Sequence, residues 1–383
     1  MATEPGKRTV SYGRFHNLQT ISVATLPPRP NGFWVMYAPP DKQPPPPSVA
    51  YDSKITQRYH ELIKKNSYIH GGAWRDPTIT ADSFEKTENI LRASPHLPIA
   101  GYASISYRLS PHPNHPQDVE ETPTESLRTA KHPDHIRDVE AALAFLQNTY
   151  AFGDKYILVG HSCGATLAFQ AVMGAVAGHR EVRFNGGVND CGAGAETIPS
   201  SPGPLPPALT SQPTAIVGVS GIYDLRKLRD DHPGIDAYRE FIEDAFGEDE
   251  LLWDTVSPAQ MIGSRGVEGG WKGGRLAILA HSMDDELVDQ GQLDVMYEAL
   301  RGWERGKATR RRSSARSSAT VEESGNDDGS RAVRTMIIEG GHDEIWSEGE
   351  QLARTIKYAF VELLRMGIAP EPEPFGGEKV PSH

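Results

Sequence analysis

The 383-residue sequence predicts an α/β fold with a mostly parallel central sheet covered by helices on both faces. Two observations lead there. Short runs rich in apolar and β-branched residues alternate with helix-length amphipathic segments, the pattern of a sheet buried on both sides. Each cluster of glycine, serine, histidine or acid singled out below follows one of those apolar runs, and open α/β sheets collect ligands at the edge where their strands end.

In chain order, strands are expected at 33–37, 67–70, 99–107, 156–159, 214–219, 276–280 and 334–338. Helices are expected at 83–94, 133–150, 163–176, 237–246 and 289–301, with 348–364 closing a single domain. The proline-dense stretch 39–47 reads as an extended surface loop. The Gly-, Pro- and Ser-rich stretch 185–213 reads as an insertion able to act as a lid, and 307–330, basic and then Ser-rich and acidic, as disordered. The tail 370–383 is expected to fray.

Composition narrows the function classes. A formal charge of −12 makes the average surface repel nucleic acid and anionic membrane, so neither is an expected partner. The N-terminus is polar and no apolar run approaches bilayer length, so neither secretory signal nor membrane span is expected. Only Cys163 and Cys191 occur and no Asn-x-Ser/Thr site is present, which fits a reducing, cytoplasmic setting. The expected partner is a small-molecule substrate; a homodimer stays open.

The chemistry begins at Gly160-His161-Ser162-Cys163-Gly164, between the apolar run Tyr156-Ile157-Leu158-Val159 and the helix-forming Ala165-Thr166-Leu167-Ala168. A G-x-S-x-G turn of this kind exposes its serine on a sharp strand-to-helix bend, where flanking glycines avoid a Cβ clash. Ser162 is the expected nucleophile, and the plainer alternative is a tight turn with a capping serine. Upstream, His70-Gly71-Gly72-Ala73-Trp74 ends another strand in paired glycines. Such a loop turns backbone N–H groups toward a reacting carbonyl, so Gly71, Gly72 and Ala73, with the N–H of Cys163, are the expected oxyanion hole.

Downstream, Leu276-Ala277-Ile278-Leu279-Ala280 runs into His281-Ser282-Met283-Asp284-Asp285-Glu286-Leu287-Val288. A carboxylate here suits the acid of a triad, and Asp285, heading an Asp-x-x-Val pattern, is preferred to Asp284. After the last strand, Glu339-Gly340-Gly341-His342 places a histidine in a glycine-paired loop free to reach across the sheet. His342 is the expected general base among 14 histidines. The order Ser, Asp, His is that of the α/β-hydrolase fold. Trp74 is a candidate to stack on an aromatic substrate, or else a core residue under the loop. Arg108 and Asp224 read as anchors of strand ends. The cluster His112, His115, His132, Asp134 and His135 is broken by prolines and lacks an H-E-x-x-H helix, so neither metal nor cofactor is expected.

Together the His70-to-Trp74 loop, Ser106-Tyr107-Arg108-Leu109-Ser110-Pro111, the Gly160-to-Gly164 turn, Val219-Ser220-Gly221-Ile222-Tyr223-Asp224-Leu225, the His281-to-Val288 segment and Gly341-His342 resemble a fungal-type kynurenine formamidase. Most telling is His-Gly-Gly-x-Trp, since related esterases carry a third glycine where this chain has Ala73. The resemblance implies hydrolysis of N-formyl-L-kynurenine to L-kynurenine and formate in tryptophan breakdown, on the route toward NAD. The alternative is a carboxylesterase acting on small acyl or aryl esters. A third reading, a non-catalytic hydrolase fold that binds ligands, is disfavoured because such proteins usually lose the serine or the histidine.

Overall fold

The computed structural model describes residues 7–11, 20–25, 33–36, 66–79, 81–94, 96–174, 209–306 and 329–369. The expectations for 39–47, 185–208, 307–328 and 370–383 lie outside the described residues. The strands are β1 (Lys7–Ser11), β2 (Thr20–Thr25), β3 (Phe33–Met36), β4 (Asn66–Ile69), β5 (Ile99–Ile105), β6 (Tyr156–His161), β7 (Ala215–Val219), β8 (Leu276–Ser282) and β9 (Ala332–Ile338). They form one sheet in the order β1-β2-β5-β3-β6-β7-β8-β9, with β4 sharing the lane between β5 and β6. The pairs β1–β2 and β2–β5 are antiparallel and the remaining pairs parallel. The two antiparallel strands were not among those expected. Their segments are short and their polar residues mask the alternation that buries Ile21 and Val23.

The central strands read as unbroken apolar runs because both of their faces are covered. Tyr156 and Leu158 of β6, Ile216 of β7 and Ala277 and Leu279 of β8 point into one core. Their neighbours Ile157, Val159, Val217, Ile278 and Ala280 point into the other, as the two-residue period of a strand requires. The first core is roofed by α2 (Asp134–Tyr150), α3 (Cys163–Gln170) and α8 (Gln290–Arg305). The second is roofed by α1 (Glu85–Arg92) and α10 (Glu350–Arg365), whose buried stripe Leu352, Ile356, Ala359, Phe360 and Leu363 follows helical spacing. Four shorter helices were not foreseen, because fewer than two turns leave little periodicity to read: α4 (Leu225–Asp231), α6 (Glu250–Val256), α7 (Val267–Gly270) and α9 (Glu344–Ser347). Between them, α5 (Asp236–Phe246) lies where a helix was expected. The helix expected to reach residue 176 ends at Gln170, and the chain then turns onto Gly174, which is pressed against the Ser264 backbone.

Both sequence anchors act as such. Arg108 binds Asp138 and Asp134 of α2, and Asp224 caps α4 by accepting from the Lys227 N–H at 2.9 Å. The end of the expected 185–213 insertion is tied down, since Gln147 accepts from Thr210 N–H at 2.9 Å and donates to the Ser211 carbonyl at 2.6 Å.

Three features place the site. From β4 the chain passes to β5 on one side and afterwards to β6 on the other, so the order of connections switches between β4 and β6. The β4 loop and the β6 turn open into that crevice. At the other edge of it, β8 and β9 end in register, Ser282 opposite Ile338, so the segments that follow leave the sheet side by side.

At the β6–α3 bend, a Cβ on Gly164 would fall 2.2 Å from the His70 carbonyl oxygen, and one on Gly160 2.3 Å from that of Gly164. Gly164→Ala is therefore expected to lower the unfolding free energy by about 3 kcal/mol. Gly153→Ala, at φ 62° with open space around it, should cost only about 1 kcal/mol. Urea unfolding of the two variants compares them, and equal midpoints would contradict the packing argument.

Candidate active site

Ser162 sits at the top of β6 with φ 54° and ψ −127°, a left-handed conformation that costs a side-chain-bearing residue of order 1–3 kcal/mol. The surrounding backbone holds it there. Its N–H donates to the Val219 carbonyl at 2.9 Å, and its own carbonyl accepts from Ala165 at 3.0 Å. Cys163 opens α3, so its N–H has no intrahelical partner and lies at the positive end of the helix.

The His70-to-Trp74 loop lies directly against this turn. A Cβ on Gly71 would stand 2.9 Å from Cβ of Ser162 and 2.8 Å from Nδ1 of His161. Three successive residues take positive φ, Gly72 at 96°, Ala73 at 46° and Trp74 at 59°, a run that folds the loop over the serine. Its support comes from below. The Gly72 carbonyl accepts from Arg75 and Asp76, each at 2.9 Å. The Cys163 thiol receives the Trp74 N–H at 3.3 Å and also faces the Ala73 N–H. Tyr107, stacked on His70 at 4.7 Å, sets its hydroxyl 3.4 Å from the Gly71 carbonyl and 3.6 Å from the sulfur. Burial pushes the Cys163 thiol up to about 11, against the hydrogen bonds it receives, so it props the loop as a neutral group. Among the described residues the Gly72 N–H finds no acceptor, and the Cys163 N–H faces only its own thiol.

Across the crevice, His342 Nδ1 lies 2.9 and 3.0 Å from the two carboxylate oxygens of Asp285. The Asp285 side chain is fully buried and also accepts the N–H groups of Leu287 and Val288 at 3.0 and 2.9 Å. Burial works to raise this carboxyl. The hydrogen bond and charge of His342, helped by the Val288 N–H, outweigh it and hold Asp285 well below the usual carboxylate range. Asp284, by contrast, is exposed, its N–H bonded to the Ser282 hydroxyl. No hydrogen bond joins Ser162 to His342 among the described residues. Contacts of this kind tighten as a substrate enters.

Trp74 needs correction as a substrate-stacking residue. Its ring is wholly buried, edge-on to Phe246 at 4.9 Å and tilted over Phe241 at 6.2 Å, both in α5. It packs the loop down from beneath, where no substrate ring reaches. The next residue, Arg75, adds ion pairs to Glu240 and Asp244 of α5 at 2.7 and 3.1 Å. From the same helix, the Tyr238 hydroxyl donates to the Leu287 carbonyl at 2.7 Å. Thus α5 ties the glycine loop to the Asp285 segment, a link that separate motifs give no sign of. Sequence reasoning also missed Glu286, whose carboxylate accepts the His342 N–H at 3.0 Å, and His161. Of the histidines weighed for metal, His135 is buried against Ser110 and His112 packs on His115.

No protein-family model matches the chain. A kynurenine formamidase-like hydrolase of Fusarium equiseti is 35% identical over 324 residues, covering 79% of this chain and 84% of that protein. A kynurenine formamidase of Aspergillus versicolor is 33% identical over 302 residues, covering 74% of this chain and 84% of that protein. The chain belongs to the kynurenine formamidase family. It is accordingly a hydrolase. Among solved structures, Thermogutta terrifontis esterase 2 phosphonylated by sarin aligns at a TM-score of 0.50 and 16% identity, over 98% of this chain and 99% of that one. That likeness shows the α/β-hydrolase fold. No helix among the described residues is long and apolar enough to cross a membrane.

Buried histidines, His70, His135 and His161 among them, give this hydrolase a characteristic acid response. Burial pushes His70 down to about 4 and His135 to about 3. Unfolded histidine titrates near 6.5, so between about pH 6.5 and 4 the unfolded chain takes up protons that the native one refuses. Stability therefore falls as pH drops through that window, each histidine contributing up to about 1.4 kcal/mol per pH unit. Asp285 acts only below it, because a depressed carboxyl keeps its contribution until about pH 4. Urea unfolding between pH 7 and 4.5 is expected to show this decline, and His135→Gln to flatten it by close to one proton.

Proposed function

We propose that this hydrolase cleaves N-formyl-L-kynurenine to L-kynurenine and formate, a step of tryptophan breakdown leading toward NAD, with Ser162, His342 and Asp285 as its triad. Membership of the formamidase family supports the substrate. The observation that carries the mechanism is the 2.9 Å His342–Asp285 hydrogen bond, on the loop whose carbonyl bonds the residue preceding Ser162.

The buried carboxylate keeps the proton of the neutral imidazole on Nδ1 and leaves Nε2 as the base. As Ser162 Oγ attacks the formyl carbon, its proton passes to Nε2 and the carbonyl electron pair moves onto oxygen. The oxyanion is held by the N–H groups of Gly72 and Cys163; the Ala73 N–H, expected beside them, is turned to the Cys163 thiol instead, and Gly71 shapes the loop. Each donor contributes about 3 kcal/mol to lowering the barrier. Collapse of the tetrahedral adduct breaks the C–N bond, and the anilide nitrogen takes the proton from His342. Water, giving its proton to the same Nε2, then releases formate from the formyl-serine and restores Ser162. An aryl amide leaves more readily than a peptide and a formyl group is unhindered, so these groups suffice.

Turnover of N-formylkynurenine should vanish in Ser162→Ala together with labelling by a fluorophosphonate. Asp285→Asn should lower kcat on the order of 10⁴-fold, while Asp284→Asn stays close to wild type. The kcat/KM for N-formylkynurenine should exceed that for p-nitrophenyl acetate and longer esters, and a strong ester preference would overturn the substrate assignment.

A further inference from the structure

Three polar groups of His342 are held in the structure, and only two of the holders belong to the segment that carries Asp285. Asp285 takes Nδ1 and Glu286 takes the main-chain N–H. The third is the main-chain carbonyl, which lies 3.1 Å from Nε2 of His161, the residue immediately before Ser162. A carbonyl only accepts, so the proton of His161 is on Nε2, and Nδ1 carries an unshared pair. That Nδ1 is buried without a partner and faces Gly71, where a Cβ would stand 2.8 Å away. The two imidazole rings lie 4.6 Å apart, centre to centre.

We infer that His161 is a positioning residue: its Nε2–H clamps the His342 loop to the nucleophile turn and fixes the height of the base above Ser162. The inference rests on the triad reading given above. His161 itself is no second base, since it is buried, donates from Nε2, and has Nδ1 closed off by the glycine loop. Burial, reinforced by the neighbouring His342, keeps its imidazole far below the ordinary histidine range, so it stays a neutral donor wherever the enzyme works. Asp285 and His70 also face it, the first favouring and the second opposing a charge there. Because the carbonyl of a residue and its Cα–Cβ bond are joined through one backbone centre, freeing the carbonyl lets the His342 side chain swing. A displacement of about 1 Å of a catalytic group costs on the order of 10²-fold in rate.

The test compares His161→Leu, His161→Asn and His161→Gln with wild type, using kcat and KM on N-formylkynurenine and the thermal midpoint. Glutamine carries its amide nitrogen close to the Nε2 position, whereas asparagine reaches only as far as Nδ1. Leu and Asn variants are expected to lose about 10²-fold in kcat with little change in KM, and Gln to recover most of the loss. Should Leu prove unstable, the Gln and Asn pair decides alone. Wild-type kcat in Asn, or equal loss in Gln and Asn at matched stability, overturns the clamp. Ser162→Ala serves as reference, because persistent turnover there defeats the triad reading itself, independently of His161.

Discussion

The left-handed turn at Ser162 is the constraint around which the rest of the site is arranged. A strand that must stop, reverse its hydrogen bonding and start a helix within one residue forces φ to 54°, and that conformation persists only where neighbours leave no alternative. Here Gly160 and Gly164 bring α3 onto β6 and β4 so closely that no Cβ fits between them. Val219 and Ala165 fix the peptide groups on either side of the serine. The offsetting stabilisation comes from the central strands, whose residues alternate between two apolar cores without a polar interruption.

From that turn outward, three segments are held by interactions of different kinds. The glycine loop is propped by a neutral thiol and a tyrosine hydroxyl, both buried, so its three positive-φ residues rest on hydrogen bonds and packing. The Asp285 and His342 segments are joined by a charge-assisted hydrogen bond between buried side chains, where it is stronger than at the surface. The third component is α5, which takes Trp74 into its apolar face and Arg75 between two carboxylates while reaching the Leu287 carbonyl through Tyr238. One helix thereby contacts both sides of the crevice.

Much of this was legible in the residues because the chemistry demands local patterns. The Gly160-to-Gly164 turn needs its glycines wherever it occurs, and the apolar runs of β6, β7 and β8 have no other reading once helices flank them. Asp285 was separable from Asp284 by its spacing to Val288, and the structure shows what that spacing does: the carboxylate bonds the Leu287 and Val288 N–H groups as it meets His342. What stayed hidden depends on contacts distant in sequence. Trp74 looked like a substrate contact because its neighbours are site residues, yet its burial is decided by Phe241 and Phe246, well over a hundred positions away. Glu286 and His161 bond backbone groups, and a backbone partner leaves no trace in residue identity. The antiparallel strands β1 and β2 were missed because both are short, β1 carries Val10 as its one apolar residue, and β2 sets Ile21 and Val23 among small and polar neighbours.

The proposed reaction is covalent: the hydroxyl of Ser162 carries the formyl group between attack and release. Its most direct test is acid-quenching the enzyme during turnover of N-formylkynurenine and locating the adduct by peptide mass spectrometry. One formyl group is expected on the peptide containing Ser162, fragmenting to that serine and absent from Ser162→Ala. Sustained turnover with the formyl group on Cys163, or on no residue at any quench time while Ser162→Ala remains active, would contradict it.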